Sequence, residues 1–228
     1  MKTYLTITAH PDDEILGFGA STYALTQEGH KVYNCILSGD VDARQYRPEG
    51  DKLYHDTCNA QKIVGAEEPI LGNFPNIKFN TVPHLELVQF IESVIENVQP
   101  DYIFTHHPSD LNDDHLYTSR ACQAAARLFQ RRKDIKPIKG LYFMEILSST
   151  DWAFPTNVSP FQPNTFIEVG TLAMKKKIEA LETYEGVMRP FPHPRSNEVL
   201  MGLSALRGGQ SGTNYAESFQ ALFQILEK

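Results

Sequence analysis

In the first half of the chain, short apolar runs alternate with longer segments whose apolar residues recur at helical spacing. The apolar runs, which predict strands, are Tyr4–Thr8, Lys31–Leu37, Pro69–Leu71 and Asp101–Thr105. The periodic segments, which predict helices, are Ile15–Glu28, Leu53–Val64, Val82–Val98 and Leu116–Phe129. Strands that alternate with helices pair in parallel through right-handed crossovers. The sequence therefore predicts an α/β fold built on a parallel sheet.

Two polar clusters follow the first and the fourth predicted strands. The first cluster is His10-Pro11-Asp12-Asp13-Glu14, and the second is the stretch 106–115, with the sequence His-His-Pro-Ser-Asp-Leu-Asn-Asp-Asp-His. In an open α/β sheet, ligands bind beyond the carboxyl ends of the strands, where the strand order reverses. With the order 3-2-1-4-5, the first and fourth strands flank that point. We therefore expect both clusters to face one cleft.

The first cluster has the residue types of a catalytic metal site. The residue before a proline disfavours helical geometry, so His10 should still be extended, and Pro11 is tolerated in the first turn of a helix. Zinc accepts imidazole and carboxylate, and a catalytic zinc has three protein ligands and a water. His10 and Asp13 are predicted ligands, and Asp12 is predicted to take a proton from the water. The alternative is an aspartate-capped helix start with an incidental histidine.

The second cluster supplies the predicted third ligand. His115 opens the fourth predicted helix and is our choice, while the pair His106-His107 lies nearer the strand end and competes for the role. Asp110 orients a ligand, contacts a substrate hydroxyl or caps the following turn. Asp113 and Asp114 are the weakest candidates, since acidic residues are favourable at any helix N-terminus.

The second half of the chain is predicted to complete the fold. Two further strands are predicted at Ile138–Leu147 and Thr165–Val169. Three further helices are predicted at Gly170–Tyr184, Asn197–Arg207 and Tyr215–Leu226. We expect a single domain over 1–228, in which residues 148–228 complete the rim of the pocket.

Five basic residues lie in segments that are predicted to be irregular. Proline excludes regular helix from Arg189–Arg195, and this loop suits a rigid rim over a polar cleft. Arg189 and Arg195 are predicted to contact sugar or phosphate, and His193 to lie near the metal-bound water. The alternative is a surface connector. Arg44 and Arg47, in the polar stretch 41–50, are also predicted to bind substrate.

Net charge and composition limit the classes of molecule that the protein is expected to bind. The net charge is −7, from 21 basic and 28 acidic residues, and no basic stripe points to nucleic acid. No apolar stretch reaches the length of a membrane span, and no signal peptide is recognisable. Three unclustered cysteines suit a reducing compartment. We expect a cytoplasmic protein that binds a small molecule rather than nucleic acid or a membrane. A homo-oligomer is left open.

Four motifs together resemble the LmbE-like (PIG-L) zinc-dependent N-deacetylases. They are His10–Glu14 after the first strand, Asp-x-Asn-x-Asp-His at 110–115, Arg189–Ser196 and Ala216–Phe219. The resemblance covers most of the chain. It implies a Rossmann-like, mostly parallel sheet with helices on both faces, and hydrolysis of an acetamide on an N-acetylglucosamine-type sugar.

The resemblance also implies a role for individual residues. His10, Asp13 and His115 match the ligands of Zn²⁺, although another divalent metal suits two imidazoles and one carboxylate. Asp12 matches the general base. Several family members carry a histidine three positions before the last ligand, where this chain has Asn112. Asparagine can donate to an oxyanion but cannot act as an acid. The general acid is then Asp12 itself or another group, for which His193 is our candidate.

Two other classes of function remain open from the sequence. A metal-dependent phosphoesterase would require more carboxylates and a second ion. A non-catalytic nucleotide- or sugar-binding module would explain the α/β pattern but not the two histidine–carboxylate clusters. No Gly-x-Gly-x-x-Gly follows the first strand, which argues against a dinucleotide-binding site.

Overall fold

The computed structural model describes residues 1–39, 50–154 and 159–226. The strands of these residues are β1 (Thr3–Thr8), β2 (Lys31–Ile36), β3 (Ile70–Leu71), β4 (Tyr102–His106), β5 (Gly140–Met144), β6 (Thr165–Glu168) and β7 (Ala216–Gln224). The helices are α1 (Asp13–Gln27), α2 (Gly50–Val64), α3 (His84–Val98), α4 (Asp113–Ala125), α5 (Gly170–Glu182) and α6 (Asn197–Ser211). Arg44 and Arg47, which were predicted to bind substrate, lie outside the described residues.

The strands form one mostly parallel sheet in the order β3-β2-β1-β4-β5-β7-β6. Strands β1 to β5 pair in parallel, and only β7 is antiparallel, to both β5 and β6. The predicted α/β fold is therefore confirmed, and the first five strands have the order 3-2-1-4-5 that was assumed in placing the two clusters. Because β1 and β4 are neighbours, the loops that follow them lie side by side at one edge of the sheet.

Helices cover both faces of the sheet, and the side chains of β1 explain why. Successive residues of a strand point to opposite faces. Leu5 and Ile7 are fully buried in a core shared with α3 and α4, whereas Tyr4 packs in a second core with α1, α2 and α5. A sheet buried on both faces needs apolar residues on both, which the strands supply. Within the described ranges, no helix is both long and apolar enough to cross a bilayer.

The helix predicted at Tyr215–Leu226 is wrong, because residues Ala216–Gln224 form strand β7. The apolar residues Phe219, Leu222, Phe223 and Leu226 are spaced like one face of a helix, which is why the pattern misled. In the structure, this segment fills the gap between β5 and β6 and pairs with both. Tertiary pairing therefore overrides the local pattern, and that pairing involves segments about 50 and 75 residues earlier in the chain.

Candidate metal centre

The loop between β1 and α1 holds Asp12 in a strained backbone conformation. Its φ is 107°, a value that residues other than glycine rarely adopt. The N–H of Asp12 donates to Glu14 Oε2 at 3.0 Å, and its C=O accepts from the N–H groups of Ile15 and Leu16 at 3.1 and 2.8 Å. Strain of this kind persists only where the surroundings fix it, and it is enriched at functional sites.

Three side chains from the two loops meet at one point. One ligand atom from each of His10, Asp13 and His115 lies within 4.8 Å of the others. Asp13 Oδ2 is 3.4 Å from His10 Nδ1 and 3.1 Å from His115 Nε2. All three residues are buried. The structure therefore brings together the three residues that were predicted to bind a metal.

The chemistry of these residues fits a divalent metal ion. Two imidazoles and one carboxylate are a common ligand set for a catalytic zinc. The buried ring nitrogen His115 Nε2 has no hydrogen-bond partner of good geometry among the described residues, and a buried polar atom without a partner requires an explanation. A metal ion bound by His10, Asp13 and His115 supplies one.

The charges around His115 also favour a cation. Burial by itself lowers the pKa of His115, but the carboxylates of Asp13 and Asp110 outweigh burial and raise the pKa to about 10. Burial raises the pKa of Asp13, yet the charge of His115 and the hydrogen bond to His10 bring the pKa well below its usual range. The carboxylates of Asp13 and Asp110 therefore place negative charge around the His115 ring, which is the electrostatic environment that favours a bound cation.

A buried carboxylate lies behind His10. Asp114 Oδ2 is 3.0 Å from His10 Nε2, which leaves Nδ1 to face Asp13. Asp114 also accepts from the N–H of Ile77 at 2.6 Å and of Phe79 at 2.9 Å. Carboxylates in this position fix the tautomer and orientation of metal-binding histidines. Sequence reasoning placed Asp114 among the weakest candidates, because its partners come from loops far away in the chain.

A second buried carboxylate lies behind His115. Asp110 Oδ2 is 3.1 Å from His115 Nδ1, and Asp110 accepts hydrogen bonds from the hydroxyls of Ser149 and Thr150. Asp110 was predicted to bind substrate, but it is not among the described residues that line the cleft. Its position suits orientation of His115, the first of the roles that the sequence left open.

The competing histidines have other hydrogen-bond partners. His106 Nε2 accepts the N–H of Ala9 at 2.9 Å, and burial lowers the pKa of His106 to about 3, so this ring is neutral. His107 Nδ1 lies 2.7 Å from Ser109 Oγ. His106, Asp110 and His115 form a second group whose ligand atoms lie within 4.8 Å. Of this second group, only His115 is among the described residues that line the cleft, whereas all three of His10, Asp13 and His115 line it.

A cleft of about 420 Å³ opens over His10, Asp13 and His115. Asp12, Asn112, Arg189 and Arg195 also line it. Arg195 Nη1 is 3.2 Å from Asp12 Oδ2, and Arg189 Nε donates to the Gly186 carbonyl at 2.7 Å. Two residues of the Pro-rich loop, Arg189 and Arg195, therefore lie at the cleft.

Asn112 has one end of its amide engaged. Its Oδ1 accepts the N–H of Asp114 at 2.9 Å and caps α4. The amide nitrogen is then the end that remains for donation to a ligand in the cleft. His193, in contrast, is exposed and lies outside the described lining, and its Nδ1 accepts the N–H of Arg195 at 3.0 Å. The structure does not place His193 beside the predicted metal ligands.

The comparisons with known proteins agree with this geometry. The family model described as "PIG-L: GlcNAc-PI de-N-acetylase" matches residues 5–126, which include both polar clusters. An Escherichia coli K12 protein described as "Uncharacterized deacetylase YaiS" is 30% identical over 141 residues, covering 55% of this chain and 69% of its own.

Solved structures show the same fold at lower identity. The N,N′-diacetylchitobiose deacetylase of Pyrococcus horikoshii is 18% identical with a TM-score of 0.74, covering 97% of this chain and 84% of its own. The 4-carboxy-2-hydroxymuconate hydratase GalB of Pseudomonas putida KT2440 is 19% identical with a TM-score of 0.80, covering 100% and 99%. At these identities, the likeness supports the fold alone.

Proposed function

The chain belongs to the PIG-L family of de-N-acetylases, and from that premise we propose that it removes the acetyl group from an N-acetylglucosamine-type sugar or sugar conjugate. The observation that carries the proposal is the convergence of His10, Asp13 and His115 within 4.8 Å at the floor of a cleft. These three residues would hold the metal, for which zinc is our choice. A bound zinc would supply a Lewis acid and lower the pKa of a coordinated water to about 7.

Asp12 is the proposed general base. Its side chain lines the cleft beside the three metal-binding residues and is 6% exposed. It takes a proton from the water that attacks the acetyl carbonyl. Arg195, 3.2 Å away, favours the carboxylate form that a base requires. Because Asn112 cannot titrate and His193 lies outside the lining, we propose that Asp12 also returns the proton to the departing amine.

Asn112 and the arginines complete the proposed site. The amide nitrogen of Asn112 donates to the carbonyl oxygen as negative charge develops there, and the loss of such a donor typically costs about 10²–10³ in turnover. Arg189 and Arg195 contact hydroxyl or phosphate groups of the substrate at the rim. Arg44 and Arg47 stay predicted substrate contacts. A cytoplasmic location also stays a prediction.

Acetate release tests the proposal. Purified protein is incubated with N-acetylated sugars and nucleotide sugars, with and without a chelator, and acetate and phosphate are measured in parallel. We expect acetate release that stops on chelation and returns with zinc. We also expect His115→Ala to lose the metal. Phosphate release in place of acetate would favour a phosphoesterase, and full metal content in His115→Ala would show that another residue is the ligand.

A further inference from the structure

We propose that Glu14 is a positioning residue, whose buried carboxylate holds the backbone of Asp12 so that the Asp12 side chain faces the cleft. The inference rests on the proposed function, because it takes Asp12 as the base. Glu14 is fully buried at the start of α1, below the cleft floor, and is not among the described lining residues. Its effect on the reaction would therefore pass through another residue.

The inference rests on a hydrogen bond between two residues that are two positions apart in the chain. Glu14 Oε2 accepts the N–H of Asp12 at 3.0 Å. That N–H belongs to the residue with a φ of 107°, a strained conformation that persists only where the surrounding structure holds it. The hydrogen bond fixes the N–H side of the residue, while the first turn of α1 fixes its C=O side.

The other oxygen of Glu14 anchors the carboxylate to the core. Oε1 accepts the hydroxyl of Tyr184 at 2.6 Å and Nε2 of Gln61 at 3.0 Å. Gln61 Oε1 in turn accepts from Asn34 Nδ2, and Asn34 Oδ1 accepts from Thr6 Oγ1 at 2.6 Å. The four partner side chains of this network, Thr6, Asn34, Gln61 and Tyr184, are 0–1% exposed. The network therefore connects Glu14 to β1, β2, α2 and the segment that follows α5.

The direction of the hydrogen bonds defines what residue 14 must be. Asp12, Tyr184 and Gln61 all donate to Glu14, so both oxygens of its carboxyl group act as acceptors. A glutamine has nearly the same shape but carries a donor at one end. In Glu14→Gln, one of these buried donors would face another donor, which leaves a buried polar group without a partner and is destabilising. We expect the strained backbone of Asp12 to be the part of the network that moves in this variant.

The first experiment measures kcat, KM and bound metal for Glu14→Gln. We expect kcat to fall by about 10²-fold, the scale of a misplacement near 1 Å, with KM and metal content close to wild type. Tyr184→Phe removes one anchor and should lower kcat by a smaller factor. Tyr142→Phe is the matched control, because Tyr142 is a buried tyrosine of the same core that stacks on Phe104. It should leave kcat unchanged.

The second experiment repeats Glu14→Gln and Tyr184→Phe in an Asp12→Asn background. If Glu14 acts through Asp12, neither substitution lowers the residual rate of Asp12→Asn further, because effects on one functional unit are not additive. Equal fold losses in both backgrounds would overturn the inference, as would wild-type kcat in Glu14→Gln. If Glu14→Gln does not fold, Tyr184→Phe carries the same comparison. Full activity of Asp12→Asn would instead overturn the proposed function.

Discussion

Each of the two histidines on the cleft floor has a carboxylate on the ring nitrogen that faces away from Asp13. Asp114 lies 3.0 Å from His10 Nε2, and Asp110 lies 3.1 Å from His115 Nδ1. Both carboxylates are held in place by further donors, the N–H of Ile77 for Asp114 and the hydroxyl of Thr150 for Asp110. At the scale of residues, the proposed metal site is thus a set of three ligands and two orienting carboxylates.

The orienting carboxylates give a first prediction. Asp114→Asn should weaken metal binding about 10- to 100-fold, because the amide is a poor acceptor and no longer fixes the His10 tautomer. Asp110→Asn should act similarly through His115. Metal affinity is measured by competition with a chelating dye. Asp113→Asn is the control, since Asp113 is exposed at the same helix start. Equal affinity in all three variants would show that the two carboxylates do not orient the ligands.

Asp12 gives a second prediction. Asp12→Asn should retain the metal but lose turnover by about 10²–10⁴-fold, the contribution of a positioned acid or base. The reason is that Asp12 is proposed to move protons and not to bind the ion. Metal analysis and the rate of acetate release measure the two effects separately. A variant that keeps wild-type turnover would rule out Asp12 as the base.

At the scale of elements, a buried ion pair fastens α1, which carries Asp13 in its first turn, to α5 and β7. Lys177 Nζ donates to Glu217 Oε1 at 2.6 Å and to the Leu16 carbonyl at 2.5 Å. Glu217 also accepts the N–H groups of Ala20 and Ser21 at 3.3 and 2.8 Å. This explains a buried glutamate in a strand. The landmark Ala216–Phe219 therefore has a structural role that its sequence did not reveal.

The ion pair gives a third prediction. Lys177→Met should lower the free energy of unfolding by about 3–5 kcal/mol, because it leaves the Glu217 charge buried without its cation. Denaturant unfolding measures the loss. Lys176→Met, next to it, removes an exposed pair with Glu179 and should leave stability unchanged within error. Equal losses in the two variants would mean that burial of the Lys177 pair is not what matters.

At the scale of the whole molecule, the sheet order decides where the chemistry lies. The deacetylase of Pyrococcus horikoshii and the hydratase of Pseudomonas putida both share the fold, so the fold by itself does not select the reaction. We expect the side chains at the carboxyl ends of β1 and β4 to make that selection. The expectation of a single domain over 1–228 stays a prediction.

The stability of the whole molecule should fall in acid because of His106, our fourth prediction. Burial lowers the pKa of His106 to about 3, from about 6.5 in an unfolded chain. Between these values, the unfolded state binds more protons, so the free energy of unfolding falls as pH falls. Protonation would also place a donor on Nε2, which accepts the N–H of Ala9.

Denaturation of the metal-free protein at pH 6.5 and 4 measures this effect. His106→Gln keeps an acceptor near the Nε2 position but does not titrate. The wild type should lose about 3 kcal/mol more than the variant between the two pH values. The same loss in both proteins would show that other groups cause the acid sensitivity.

The sequence by itself determined the alternation of strands and helices and the two polar clusters, because each depends on local periodicity or on residue type. The order of the first five strands was assumed, and only the observed strand pairing establishes it. Only the tertiary structure decided that Tyr215–Leu226 contains a strand, that Asp110 and Asp114 lie behind histidines, and that Glu14 contacts the backbone of Asp12. These features depend on which distant segments become neighbours, and apolar spacing along one segment carries no information about the hydrogen-bond partners that another segment brings to it.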